Sequence, residues 1–208
     1  IGAYYGNLIA KSEDEGRITK VPYDPAYPVH TAWDLGINDS TAIWFAQIFR
    51  GGHVHIIDYL ESTGVGLNYY ANEINKRDYV YGDHLAPHDI EVRELGSGKS
   101  RMETAYSLGI RFKVVPKVKI ADGINAARML LPKCYFDRDK CEEGLDYLKQ
   151  YRQEWDERKK IFRDRPRHDF TSHAADAFRY LAVGMSYRTN YDKPPQEVAN
   201  NDYNIFAT

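Results

Sequence analysis

Three β-rich runs lie almost end to end between residues 30 and 62, and they leave the chain few folds to choose from. HTAWDL (30–35), STAIWFAQIF (40–49) and HVHIIDYLES (53–62) are rich in Ile, Val, Thr and aromatic side chains, the composition of half-buried or buried strands. Arg50-Gly51-Gly52 separates the last two and reads as a hairpin turn. An antiparallel meander of three strands is therefore expected to open the domain. After it, helix and strand patterns alternate. GLNYYANEINKR (66–77), SRMETAYSLG (100–109), KIADGINAARMLLPK (119–133) and DKCEEGLDYLKQYRQEW (139–155) read as helices, the second with Gly109 at its C-terminus. YVYGDHLAPHD (79–89) reads as a strand running into a loop, and IRFKVVP (110–116) and CYFD (134–137) as short strands. ERKKIFRDRPRHD (157–169) is expected to be irregular or a hairpin, and TSHAADAFRYLAVGMSY (171–187) a closing helix. The predicted class is α/β: a mixed sheet of three antiparallel strands followed by alternating helix and strand, flanked by helices.

At 208 residues the chain is long enough for one sizeable domain. Residues 1–28, with the proline-spaced VPYDPAYPV, are expected to form a lead-in, 29–188 the domain, and 189–208 a polar, flexible tail holding Pro194 and Pro195. The chain opens without Met, so it is expected to be part of a longer polypeptide. No run approaches the ~20 apolar residues of a membrane span. Cys134 and Cys141 are too few for a disulfide framework or a zinc site.

The net charge of −2 argues against indiscriminate nucleic-acid binding, but the charge is unevenly spread. Seven Lys or Arg face two acids between Arg93 and Lys119, and seven face four between Tyr151 and His168. These stretches, with Lys99, Arg101, Lys159 and Lys160 as representatives, are either a phosphate-facing side or two solvated surfaces.

Four motifs bear on chemistry. GSGKS (96–100) resembles a nucleotide loop, but the Walker pattern needs a glycine where Arg93 stands. It therefore reads as a basic loop, not an ATP site. DLGINDST (34–41) sets Asp34 at a strand end and Asp39 just beyond it. Asp and Gly suit a hairpin turn, yet a carboxylate at the end of a buried strand also suits a cation. YGDHLAPHD offers Asp83, His84, His88 and Asp89 at another strand end, with a helix cap as the simpler role. In HDFTSHAADAFRY (168–180), His173 and Asp176 are three apart and share one helix face. Ala174, Ala175 and Ala177 around them would let that helix lie close to a sheet. If the first strand is central, these three groups of acids converge. Clustered carboxylates repel unless a cation lies among them, and an oxygen-rich set suits Mg²⁺ or Mn²⁺ rather than zinc. Two such ions can clamp the attacking and leaving oxygens of a phosphodiester.

TAWDLGINDSTAIWFAQ, HLAPHDIEVRELGSGKSRMETA and HDFTSHAADAFRYLA occur in this order, and together they resemble the nuclease domain of the large terminase subunit of tailed bacteriophages, over roughly residues 25–185. The resemblance implies an RNase H-like fold and a metal-dependent endonuclease that cuts concatemeric double-stranded viral DNA during packaging. By position, Asp34 would be the first-strand acid, Asp176 the closing-helix acid and His173 the accompanying residue. Asp89 is the favoured middle acid with Asp83 as the alternative, because ligands gather in loops beyond strand ends. Asp39 would be auxiliary. The resemblance also implies two Mg²⁺ or Mn²⁺ ions and a preceding ATPase domain. The implied partners are DNA, the procapsid portal and the small terminase subunit, in the host cytoplasm and transiently at the portal. The competing readings are another RNase H-like strand cutter, of resolvase or transposase type, and a non-catalytic portal-docking module.

Overall fold

Strands β2 (Val29–Leu35), β3 (Ser40–Ile48) and β4 (Val54–Thr63) pair antiparallel, as their composition and spacing predict. Gly51 and Gly52 turn β3 into β4 with φ of +93° and +86°, a left-handed conformation that glycine adopts without strain. Gly36, after β2, is required for space instead: a Cβ there would lie 2.4 Å from the Ser40 carbonyl oxygen.

The computed structural model describes residues 2–36, 39–93 and 98–191. Strands β5 (Tyr81–Ala86), β6 (Phe112–Val114), β7 (Cys134–Asp137) and β1 (Ile18–Thr19) extend the meander on both sides, each parallel to its inner neighbour. Among the described residues the result is a seven-stranded sheet of order β1-β7-β4-β3-β2-β5-β6. The expected mixed α/β architecture is thus present, with β2 in the interior of the sheet.

Both faces of the sheet are covered. Helices α2 (Leu67–Lys76) and α3 (Arg101–Ser107) close one face over Trp33, Ile43, Phe45 and Ile57. Helices α1 (Gly6–Asp14), α4 (Ile120–Leu130), α5 (Glu142–Gln150) and α6 (Ser172–Tyr191) close the other over Trp44, Phe136 and Phe178. Two covered faces explain why β2 and β3 are buried almost throughout rather than on alternate residues. Helix α3 begins at a full capping box, with the Ser100 hydroxyl accepting from the Glu103 amide and the Glu103 carboxylate accepting from the Ser100 amide.

Three local expectations are corrected. The stretch read as a lead-in is built into the domain: α1 buries Ile9, Tyr5 is fully buried, and β1 adds a strand to the sheet edge. The prolines that suggested a strap occupy only its later part, after Val21. The helix expected over 139–155 ends at Gln150, because Tyr151 turns inward in an extended conformation and stacks on Tyr5 with ring centroids 5.6 Å apart. The freed residues form β8 (Gln153–Asp156), which pairs with β9 (Ile161–Pro166) in a separate hairpin. The closing helix runs past the expected boundary at 188, to Tyr191. Most of the predicted tail, from 192 onward, and part of the GSGKS loop lie outside the described residues. Among the described residues no helix is long and apolar enough to cross a membrane.

Helix α5 seats itself on Trp44 through Gly144, where a Cβ would lie 2.4 Å from the indole Cη2 and 2.9 Å from Tyr59 Cδ2. Alanine is the better helix former by about 1 kcal/mol, but overpacking costs about 1–3 kcal/mol. Gly144→Ala is therefore expected to lower stability in urea denaturation, by up to about 2 kcal/mol. An increase would show that the indole yields freely and does not fix the position of α5.

Candidate functional site

The site forms where β2, β5 and α6 meet. Helix α6 reaches the sheet because Ala174, Ala175 and Ala177 present small, buried side chains to it. Its start is pinned by the Trp44 indole N–H, which donates to the Ala174 carbonyl at 2.8 Å. One residue before that anchor stands His173, and two after it Asp176.

Asp34 points to the same face of the sheet as Ala32, toward α6. Its carboxylate oxygen Oδ2 lies 3.0 Å from His173 Nδ1, and the other ring nitrogen, Nε2, lies 3.1 Å from Asp39 Oδ2. The imidazole thus bridges the two carboxylates of the DLGINDST turn. Asp39 in turn accepts the Ser40 amide at 2.9 Å.

Burial pushes the Asp34 carboxyl up to about 6, against the opposing hydrogen bond from His173 and with help from the nearby charge of Asp176. The hydrogen bond to Asp34 lifts His173 to about 9, with Asp39 and Glu61 adding to the effect. At neutral pH the pair is therefore carboxylate and imidazolium. A buried carboxylate here is held by a cation.

Asp176 is held differently. Its Oδ1 accepts from Arg179 Nη2 at 2.8 Å, on the same helix face three residues on. Next along the helix is Tyr180, a half-buried side chain. Burial raises its pKa, and the charges of Asp34, Asp176 and Asp89 each raise it further. Asp89 stands in the 3₁₀ turn His88–Glu91, which follows β5.

Asp83 does not join the cluster. It sits one residue before His84, which is paired with Thr31, and so is level with the start of β2. That is roughly 13 Å from Asp34 at the strand rise, and its carboxylate faces Lys113 at 3.5 Å. The parallel register of β5 on β2 makes the difference, and no local pattern in YGDHLAPHD reveals it.

Sequence reasoning missed Glu61, Arg179 and Tyr180. Glu61 pairs in register with Ala42, which pairs with Asp34. The two acids therefore share a row, separated by a methyl group. Burial raises the Glu61 pKa, and its carboxylate accepts from the Tyr59 hydroxyl. A Glu near the end of a strand pattern is an ordinary residue until the register is known.

Of the basic candidates, Arg101 comes nearest: its guanidinium donates to the Leu35 carbonyl, one residue beyond Asp34. Lys99 lies on the surface before the α3 cap. Lys159 and Lys160 occupy the turn of the β8–β9 hairpin, where the Asp156 carboxylate accepts the Arg158 and Lys159 amides. Arg163 and Arg165 are tied to Glu154 and Asp156 within the hairpin, so part of its basic charge is neutralised internally. Lys160 pairs with Glu157 at 3.1 Å where both are exposed, a weak bond. The hairpin leads through His168 and Asp169 directly into α6.

Among the described residues no three Asp, Glu, His or Cys side chains are gathered closely enough to enclose an ion as they stand. Protein cations occupy the carboxylates instead: His173 for Asp34 and Asp39, Arg179 for Asp176.

No protein-family model matches the chain, and no curated protein does. Solved structures match it in fold. The large terminase of a thermophilic bacteriophage, in complex with ADP, has a TM-score of 0.64 at 18% identity over 86% of this chain. The chain spans 45% of that protein's length. The P22 large terminase nuclease domain has a TM-score of 0.61 at 14% identity, covering 86% of this chain and 94% of that one. The g2p large terminase nuclease domain of bacteriophage SPP1, with bound Mn, has a TM-score of 0.60 at 17% identity, covering 81% and 95%. The chain has the RNase H-like fold of these nuclease domains.

The His173–Asp34 pair makes stability depend on pH. A histidine whose folded pKa is raised to about 9 stabilises fully below its unfolded value, near 6.5, and loses that contribution as pH rises through 9. His55 and His84 are shifted the opposite way, downward, so their effect is to raise stability with pH, and it ends as pH passes their unfolded value near 6.5. In metal-free buffer, stability is expected to fall by on the order of 2 kcal/mol between pH 6.5 and 9. Urea titrations of His173→Gln should lack that fall, and an equal fall in the variant would mean that the bridge carries no net charge interaction.

Proposed function

We propose that this chain is the nuclease portion of a phage large terminase, a divalent-metal-dependent endonuclease that cuts concatemeric double-stranded DNA as a genome is packaged. One observation carries the reading. Asp34 at the end of β2 is bonded to His173, three residues before Asp176 on α6, and the turn that carries Asp89 follows β5, the parallel neighbour of β2, in the fold of terminase nuclease domains. The SPP1 domain, which holds Mn, supports the choice of a divalent cation.

The residues present fit such an ion. The donors are carboxylate oxygens, the set preferred by Mg²⁺ and Mn²⁺, and Asp34 is buried where it already requires positive charge beside it. Asp34 and Asp176 would hold the ion, or a pair of ions, with Asp89 as the middle acid and Asp39 as an auxiliary. When bound, the metal would supply positive charge against the oxygens of the reacting phosphodiester. The chain's own residues prepare that place. His173 holds Asp34 at one nitrogen and Asp39 at the other, which fixes the rotamer of the strand-end carboxylate. Arg101, bonded to the Leu35 carbonyl, and Lys99, Lys159 and Lys160 supply charge for the phosphate backbone.

The chain matches less than half of the thermophilic-phage large terminase, a protein that binds ADP. This supports a larger assembly in which an ATP-driven part moves DNA and this part cuts it. The procapsid portal and the small terminase subunit are its partners on this reading, in the host cytoplasm and at the portal.

Plasmid nicking with Mn²⁺ or Mg²⁺ tests the site. Asp34→Asn, Asp89→Asn and Asp176→Asn should each lower the rate by about 100-fold or more, since metal stabilisation supplies several kcal/mol. Asp83→Asn should cut at the parental rate, and chelation should stop all cutting. Wild-type rates in Asp34→Asn, or nicking that survives chelation, would end the metal-nuclease reading.

Binding is tested separately. Replacing Lys159 and Lys160 by Gln should weaken affinity for any duplex sequence and reduce the slope of log affinity against log salt by about 1–2, because each phosphate contact contributes about 0.9. An unchanged slope would leave the hairpin turn as a solvated surface.

A further inference from the structure

A glycine in the middle of a helix costs about 1 kcal/mol relative to alanine, so Gly123, inside α4, needs a reason. The reason is a side chain from α6. A Cβ at Gly123 would lie 2.5 Å from Cδ and 2.6 Å from Cγ of Arg179. The stem of Arg179 crosses α4 through the gap that glycine leaves.

Arg179 is 8% exposed. Its guanidinium donates through Nη2 to Asp176 Oδ1 at 2.8 Å and stacks over the Tyr180 ring at 5.0 Å. Its Nε is buried with no hydrogen-bond partner among the described residues. A buried cation with an unsatisfied N–H is unfavourable, and a buried ion pair is often no more stabilising than apolar residues of the same volume. Packing alone would be served as well by a methionine. What a methionine could not do is hold a carboxylate in one orientation. Asp176 makes its hydrogen bond through Oδ1, and among the described residues Oδ2 makes none.

We infer that Arg179, seated in the slot of Gly123, is a positioning residue that fixes Asp176 by Oδ1 and so presents Oδ2 to a divalent cation. The inference rests on the metal-dependent reading above and adds to it a support that reaches from α4 to the site. It also gives a role to Gly123, which interrupts an otherwise good helix sequence.

The test is the affinity of the chain for Mn²⁺, read from the loss of the free-ion signal in electron paramagnetic resonance titrations and set beside plasmid nicking. Arg179→Met should weaken Mn²⁺ binding by about ten- to a hundredfold, the usual effect of losing a group that orients a ligand. Arg179→Lys should recover part of that affinity. Gly123→Ala keeps the guanidinium but displaces its stem, and it should weaken binding in the same direction. Arg17→Met is the control: Arg17 is 7% exposed and donates to the Leu131 and Cys134 carbonyls. It should lose stability without losing Mn²⁺ affinity, with circular dichroism confirming the folded state of every variant. Should Arg179→Met not fold, Gly123→Ala and Arg179→Lys decide the matter.

A folded Arg179→Met with parental Mn²⁺ affinity would overturn the inference, and so would tighter binding, which would make Arg179 a competitor of the ion. In either case the wild-type chain still binds Mn²⁺ and cuts, and the metal-nuclease reading stands. A wild-type chain that neither binds Mn²⁺ nor cuts would overturn both.

Discussion

The placement of α6 against β2 and β3 is the constraint on which the site depends. The bond from the Trp44 indole to the Ala174 carbonyl is made in the core, where an unpaired carbonyl would be expensive. Around it the alanines of α6 allow close approach, and Phe178 and Phe136 flank the indole with centroids 5.8 and 6.0 Å away. Gly144 lets α5 close over the same ring. A change in any of these contacts would shift α6 along or away from the sheet. His173 and Asp176 would move with it, while Asp34 stayed on β2. The chemistry at the strand ends therefore depends on packing several residues away.

The site is arranged around negative charge that does not stand alone. Asp34 and Asp39 share one imidazole, and Asp176 has a guanidinium. These pairings allow the chain to fold with its carboxylates close together, since repulsion among them would otherwise favour protonation or separation. They also hold the acids in fixed orientations. Glu61, in the row of Asp34 but two strands away, takes its hydrogen bond from Tyr59 instead, and burial keeps its pKa high.

The β8–β9 hairpin stands apart from this arrangement. It rests on the N-terminal segment through Phe162, which fills the space beside Gly2, and through the Gln153 amide on the Gly2 carbonyl. Trp155 and Phe162 meet across the two strands at 4.8 Å. A hairpin tied at its base to the N-terminal segment, and leading directly into α6, carries a basic turn at its far end.

Much of the fold was legible from the chain itself. The β-rich runs with Gly51-Gly52 between them dictate a meander, and alternating helix and strand patterns dictate parallel additions to it, because a parallel neighbour needs a crossover. The alanines around Asp176 announced a helix that lies close to a sheet. Other features depended on partners distant in sequence. Residues 1–28 looked like a strap because a helix as short as α1 has little periodicity to show, and only contact with Tyr151 and α5 makes Tyr5 and Ile9 core residues. The helix through Tyr151 had a continuous pattern, and it stopped because Tyr5 offered a better place for that ring. Local composition put Asp34, Asp89, His173 and Asp176 forward as candidates beside plainer turn and cap roles, and the resemblance of three ordered motifs tilted the choice. Register and packing decided the rest: that Asp83 lies away from the cluster, that Glu61 lies in the row of Asp34, and that Arg179 crosses α4 at Gly123. Residue type and spacing are properties of a segment, whereas register and interhelical contact arise only when distant segments bury their apolar surfaces against one another.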